Sequence, residues 1–547
     1  MFFDMKKVLL LTLFLFSLTL PAQDDKDNEK GNIFKDAGDA AKMLLAKQKL
    51  YGGQYMAALA TYREVEKNEP DNATVKYYIG LCHYSLGETE DARKVFEKAL
   101  SLKDIKPETY FFLGKIYHRG GNIEDAIKNY TQFRSSNNGE KQFHTETSLY
   151  LSQCENAKNF MAKPLDVMVM NLGPTLNSIY DDKNPCISAD GKKLVFTTRR
   201  PMTAGEAVDN EGDGKFFENI FSTEQDSVSL TWGAPHSLDS HVNTPAHDAC
   251  TSISADGKQI FIYKNDINDK ASWGGNVFVS KLMNGKWKKP ESLGKPINTT
   301  FWEGGACVSP DGKKYYFTSE RPGGFGGSDI WMVVRLSRKN WSEPVNLGPI
   351  VNSEHDEAGM FLAPDGKTLF FCSNGPKSMG GYDIMRSTFE NGHWNEPVNL
   401  GYPINSPAKE GQLSLGANAQ FAYLSSDRPG GMGESDLYKI DLKEFAILEK
   451  DGVKRSNSGI SILRGTIREG FEGFGMADVE VSVHNKMGDL VANTTTNENG
   501  EYFFTLPGGD YLLEIKKKGY KDISESLTLT ASNKETLVLE KGYLLKK

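Results

Sequence analysis

Cysteine is scarce: Cys82, Cys154, Cys186, Cys250, Cys307 and Cys372 are the only six in 547 residues, and none forms a CxxC pair. That excludes a disulfide-built fold and a paired-cysteine zinc site, and leaves small buried apolar residues. Positive charge is not in excess. The net charge of −8 provides no basic field for nucleic acid. Long apolar runs are missing after the first 20 residues, so no later segment is expected to span a membrane. Gly-x-Ser-x-Gly, His-Glu-x-x-His and P-loop signatures are absent, so neither catalysis nor a cofactor is expected. What remains is ordinary globular composition, 39% hydrophobic and 25% charged, at a length that fits two to four domains.

The N-terminus reads as an address. Lys6 and Lys7 precede an apolar run from Val8 to Leu20, then Pro21-Ala22. This is the pattern of a secretory signal peptide over residues 1–22, with an uncleaved anchor as the alternative. No cysteine follows the run, so no lipid anchor is expected there. The expected location is the periplasm.

Residues 39–137 repeat every 34 positions. Ala58, Ala92 and Ala126 fall in register, as do Tyr62, Phe96 and Tyr130, and Leu45, Ile79 and Leu113; Gly80 and Gly114 follow the last two. Small residues let paired helices approach, and aromatics fill the space between repeats. The pattern resembles the tetratricopeptide repeat (TPR). An α-helical solenoid with a capping helix is expected over 36–162, serving as a peptide-binding groove or as a rigid spacer. His83 and His118 read as packing or surface residues.

After Pro164 a second repeat begins, about 54 residues long. "CISADGKKLVFTT", "SISADGKQIFIYK", "CVSPDGKKYYFTS", "FLAPDGKTLFFCS" and "SLGANAQFAYLSS" centre on Asp190, Asp256, Asp311, Asp365 and Asn418. Asp-Gly between apolar runs is a hairpin turn. "SERPGGFGGSDIW" at 319–331 looks at first like a phosphate loop. It recurs as "GPKSMGGYDIM" and "RPGGMGESDLY", always between strands and never before a helix, so it reads as a structural turn. The repeats resemble the WD40-like, TolB-type PD40 family. That implies an all-β propeller over 165–443, of five blades or of six, with 165–170 available to close the ring. "RRPMTAGEAVDNEGDGKFFEN" is an insertion in it.

Eight positions before each turn residue stands an acid: Asp182, Asp248, Glu303, Glu357 and Glu410. Five positions earlier stands an asparagine: Asn177, Asn243, Asn298, Asn352 and Asn405. The acids are the candidate binding residues. They either fix blade geometry through internal hydrogen bonds or form a ring near the channel that takes a cation or a basic peptide. His247 and His355 lie near them without recurring.

A linker over 444–458 leads to residues 459–541, where short strands alternate with Gly and Asn turns. Gly465, Val479, Val481, Val483, Tyr502, Phe504 and "GDY" at 509–511 resemble the carboxypeptidase regulatory-like domain, a small transthyretin-like β-sandwich without catalytic activity. "TNENGEY" reads as a turn, with a calcium loop as the alternative. The order of modules resembles Bacteroidetes-type envelope proteins of the OmpA-family or PD40 kind, some of which serve type IX secretion and gliding. The resemblance implies a non-enzymatic periplasmic scaffold at the outer membrane, with envelope proteins and type IX components as partners. Those relatives continue into an OmpA-like domain and this sequence does not, so peptidoglycan binding is not expected. A ligand- or ion-binding propeller and a hydrolase are the alternatives.

Overall fold

The computed structural model describes residues 37–547 apart from 137, 204, 210–212, 227, 265–274, 338–339, 443–444, 450–458, 471–472 and 531–534. The expected leader at 1–22 lies outside the described residues, as does most of the expected linker. Two compact units emerge. Of the described residues, one holds those up to Cys154 together with those of Glu206–Phe216; the other holds those of Glu155–Gly205 and Phe217–Lys547.

The first unit is built of helices. Ala37–Tyr51 pairs with Tyr55–Asn68, Ala73–Ser85 with Thr89–Leu100, and Glu108–Arg119 with Ile123–Arg134; Lys141–Met161 follows. The chain leaves the first helix of each pair through a left-handed glycine, at Gly53 (φ 82°), Gly87 (81°) and Gly121 (78°). This is a backbone state that costs glycine little. Asn72 caps Ala73–Ser85 by accepting from Thr74 N at 3.0 Å and Val75 N at 3.2 Å.

The repeated residues do what their spacing asks. Ala58, Ala92, Ala126, Tyr62, Phe96 and Tyr130 are all fully buried. Leu45 departs from the pattern: it is 47% exposed where Ile79 and Leu113 are buried. A solenoid buries each repeat against the one before it, and no described helix precedes that of Leu45. Gly80 and Gly114 are set by contact. A Cβ on Gly80 would lie 2.6 Å from the Phe96 ring, and one on Gly114 would lie 2.6 Å from the Tyr130 ring. Gly80→Ala is therefore expected to destabilise the protein by about 1–3 kcal/mol through overpacking, although alanine favours a helix. Urea unfolding followed by circular dichroism measures this; a stabilised variant would contradict it. The segment Glu206–Phe216, from the expected insertion, belongs to this unit: Lys215 Nζ donates to Leu86 O at 3.1 Å.

The second unit contains five antiparallel sheets in chain order. Their first strands are Asp182–Ile187, Asp248–Ile253, Glu303–Val308, Glu357–Leu362 and Glu410–Leu415. Each first strand turns through the Asp-Gly or Asn-Ala hairpin into a second strand, and each second strand pairs with a third. The first strands neighbour one another in a closed cycle, the fifth returning to the first. The outermost strand of the fifth sheet comes from the other end of this segment: Met168–Asn171 pairs with Asp436–Asp441, with Val169 opposite Ile440. On the axis the first strands leave a cavity of about 10 Å³, at the limit of one water molecule.

The C-terminal residues form two further sheets. Ile460–Glu469 lies between Glu501–Pro507 and Val538–Glu540, with Tyr543–Leu545 also paired to it. The other sheet orders Leu490–Thr495, Glu480–Asn485, Gly509–Lys516 and Ile523–Leu529. Val479, Val481, Val483, Tyr502 and Phe504 fill the core between them. In "TNENGEY", Asn497 Oδ1 accepts from Asn499 N and Glu501 N, closing a tight turn with Gly500 at φ 74°.

This pair of sheets sits on the hairpin-turn end of the five-sheet ring. Arg464 reaches Asp190 at 3.6 Å, Lys258 reaches Glu501 at 2.5 Å, and Thr505 Oγ1 donates to Pro364 O at 2.6 Å. Ala189, Ala417, Ile460 and Ile462 form an apolar seam between the two. Residues 445–449, expected as linker, are held in place as well. Ile447 is fully buried, and Arg386 Nη1 donates to Ile447 O at 2.9 Å.

Candidate functional site

Each of the five acids begins the first strand of its sheet and is at most 1% exposed. Glu410 shows the common arrangement. Its carboxylate accepts from Ser406 N at 2.9 Å, Ser406 Oγ at 2.6 Å and Ser426 Oγ at 2.9 Å. Arg428 adds an Nη2 contact at 3.0 Å while donating to Pro403 O and Ile404 O. Asp182 and Glu303 repeat this with Arg200 at 3.0 Å and Arg321 at 3.5 Å. Asp248 instead takes Lys264 at 2.6 Å. Glu357 differs: the register that holds Arg321 and Arg428 holds Gly375, and among the described residues its side-chain partners are Ser353 and Ser373.

The charge of each carboxylate depends on these partners. Burial pushes the Asp182, Asp248 and Glu410 carboxyls up, opposed by Arg200, Lys264 and Arg428. Burial pushes Glu357 up to about 7, against the lowering effect of its Ser353 and Ser373 hydrogen bonds and with Asp329 adding to the rise; no cation among the described residues contacts it. Among the described residues no hydrogen bond or ion pair joins one of the five to another. Each carboxylate meets serine or threonine donors of its own chain.

The asparagines lock sheet to sheet. Asn405 Oδ1 accepts from Ile384 N at 2.8 Å and Asn405 Nδ2 donates to Ile384 O at 2.9 Å, which joins the start of the fifth sheet to the fourth. Asn177 makes the same pair of bonds with Leu437, at 2.8 and 3.0 Å, and so ties the first sheet to the fifth.

The glycine-rich loop holds an anion, but the anion belongs to the protein. Phe325 N donates to Asp329 Oδ2 at 2.6 Å and Gly326 N to Asp329 Oδ1 at 3.3 Å. Met432 and Gly433 treat Asp436 the same way. A Cβ on Gly326, Gly380 or Gly433 would fall 2.5 Å or less from backbone atoms at the start of the next sheet. Only glycine fits there.

A charged cluster that repeat analysis passes over lies where the first, second and fifth sheets meet. Lys183 Nζ stands 2.8 Å from Asp181 and 2.5 Å from Glu218, and His247 Nδ1 is 3.4 Å from Glu218. Burial works against the Asp181 and Glu218 charges, but Lys183 outweighs it and holds both carboxyls below their usual range. Lys409 lies 5.4 Å from the centre of the Tyr382 ring, and burial pushes its ammonium below the usual lysine value. Asp181, His247 and Lys409 each immediately precede one of the five acids. Sequence could flag them only as the variable neighbours of an invariant register. His355 stands apart, 3.8 Å from Glu354.

On the helical unit, Lys115 lies among Tyr84, Phe111 and Tyr150 at 5.2–5.8 Å from their ring centres, and Lys106 lies near Tyr77 and Tyr78. His83, Glu88 and Asp91 place ligand atoms within 4.8 Å of one another. His83 Nδ1 already meets Glu88 at 2.5 Å, and Nε2 meets Arg63 at 3.1 Å. His118 is buried edge-on to Tyr130.

Tetratricopeptide repeat family models match residues 43–108 and 107–133, and the carboxypeptidase regulatory-like domain model matches 462–540. The chain carries both kinds of module. No curated protein matches. Among solved structures, the TPR domain of P58(IPK) is similar at 20% identity and a TM-score of 0.22, over 23% of this chain and 35% of that one. This chain thus spans about a third of that structure's length. The endo-arabinase from Bacteroides thetaiotaomicron VPI-5482 is similar at 14% identity over 52% of this chain and 99% of that one, with a TM-score of 0.34. The Trypanosoma rangeli sialidase in complex with the inhibitor DANA is similar at 10% identity over 68% and 91%, with a TM-score of 0.31. TM-scores this low carry no argument about function.

Proposed function

We propose that the protein is a non-enzymatic adaptor of the periplasm, held at the outer membrane by its partners and serving the type IX secretion or gliding machinery. The observation that carries this reading is the TPR stack, whose match to residues 43–133 implies protein ligands. The ring of five sheets is read as a five-bladed PD40 propeller. Its hairpin-turn end is covered by the C-terminal sheets, so partners meet its other end, where the glycine-rich loops lie. Phe325 and Met432 in those loops are 48% and 42% exposed. The periplasmic address rests on the expected leader at 1–22.

The test is cross-linking in intact cells of the tagged protein, followed by mass spectrometry of the envelope fraction. Links from residues 39–162 or from the loops around Phe325 and Met432 to outer-membrane or secretion proteins are expected. Recovery of the protein alone, or with cytoplasmic proteins only, would overturn the proposal. A second reading rests on the cluster of Asp181, Lys183, Glu218, His247 and Lys409: a small charged ligand binds at the open end of the ring. Melting of the purified protein with a panel of small anions and cations tests it: a rise that is lost in a folded Lys409→Met variant is expected, and no rise with any of them would overturn it.

A further inference from the structure

Two of the buried thiols face each other across a sheet boundary. Cys186 lies in the first strand of the first sheet and Cys250 in the first strand of the second. Their sulfurs are 3.7 Å apart, and the two residues are 64 positions apart in the chain. The side chains are 1% and 0% exposed. Both are held from neighbouring strands. Cys250 N donates to Thr197 Oγ1 of the first sheet at 2.9 Å, which fixes the second sheet's strand against the first. Gln412 of the fifth sheet donates Nε2 to Cys186 Sγ at 3.2 Å. Each first strand carries a register shift at its cysteine, between Lys183 and Cys186 in one and between Cys250 and Ser252 in the other. An S–S bond of about 2.05 Å needs the sulfurs to approach by less than 2 Å.

We infer that Cys186 and Cys250 form a disulfide joining the first two sheets when the chain folds in the presence of a small-molecule or protein disulfide. One cysteine thiolate attacks the carrier disulfide, forming a mixed disulfide and releasing the carrier's first thiolate. The second cysteine thiolate then attacks the protein sulfur and expels the carrier's other thiolate. The two protein thiols lose two electrons and two protons, and the carrier disulfide becomes two thiols. Burial raises the Cys186 thiol well above its usual value, so the folded, reduced pair exchanges slowly and the bond belongs to the folding stage. Nothing here depends on the adaptor role or on export, because the geometry lies wholly within the ring.

The test starts from the purified full chain, reduced and unfolded, then refolded in a buffer of reduced and oxidised glutathione. Remaining thiols are alkylated under denaturing conditions and the digest is mapped by mass spectrometry without reduction. The expected result is one linked species containing Cys186 and Cys250, lighter than the two peptides together by two hydrogens. Cys82, Cys154, Cys307 and Cys372 should be recovered alkylated. Recovery of Cys186 and Cys250 as alkylated thiols, or joined to glutathione or to another cysteine, would overturn the inference. The measurement uses the unmutated protein, so no variant has to fold for it to decide.

Discussion

Replacing Arg428 with methionine is expected to cost about 3–5 kcal/mol of stability, because it leaves a buried carboxylate without its counter-charge. Glu410 is fully buried, and Arg428 Nη2 is the cation in contact with it, at 3.0 Å. The substitution also orphans two carbonyls, Pro403 O and Ile404 O, which Arg428 satisfies at 3.0 and 2.8 Å. Methionine fills much of the volume over the Tyr438 ring, so the loss reads as charge and hydrogen bonding rather than packing. Burial and the Glu410 charge already push the neighbouring Asp383 carboxyl well above the usual aspartate range. Urea unfolding of the two proteins at pH 7 gives the difference. A change below about 1 kcal/mol, the size of a surface ion pair, would contradict the account.

Glu357 should behave in the opposite way. Its carboxyl rises from an ordinary 4.5 to about 7 because burial is not answered by a cation. In acid, below the unfolded value, both states are protonated and the group costs nothing. As pH rises from there, the unfolded chain ionises first, and stability falls until the folded carboxyl also ionises near 7. A rise of this size corresponds to about 3 kcal/mol, lost in full above pH 7. Glu357→Gln has no such loss. Its amide can face Ser353 Oγ and Ser373 Oγ, whose hydroxyls rotate to accept, while its carbonyl meets Ser353 N. The variant should gain on the parent by about 3 kcal/mol between pH 4 and pH 8. Denaturation across that range measures it, and a difference that does not change with pH would refute the assignment.

The fold was most legible where structure repeats. The 34-residue register located Ala58, Tyr62, Phe96 and Tyr130 in the helical core, because packing between repeats imposes the same residue at the same place. The recurrence of "GGSDI" as "GGYDI" and "GESDL" among strands read as a structural turn rather than a phosphate loop, and the loop wraps Asp329 of its own chain. The acid and asparagine registers were visible too, but their use was not. A period shows that a side chain has a fixed environment. It does not show whether water or a serine hydroxyl fills that environment. The cations at Arg200, Lys264, Arg321 and Arg428 are hard to read from sequence because two residue types and two registers share the task. The cluster of Lys183, Glu218 and His247 does not repeat at all, so a search for periods discards it. The seating of the C-terminal sheets on Asp190, Lys258 and Pro364 joins residues more than 140 positions apart, a pairing that local pattern does not encode.

The five repeated acids are expected to hold the ring together from within, through the serine, threonine, arginine and lysine contacts described above. Calorimetric melting of the purified protein in millimolar calcium, in millimolar magnesium and in chelator tests it most directly. Every carboxylate is already bonded by serine, threonine, arginine or lysine, so the three melting temperatures should coincide. A rise with either cation that disappears in Glu357→Gln would contradict the claim and make the acids a binding site.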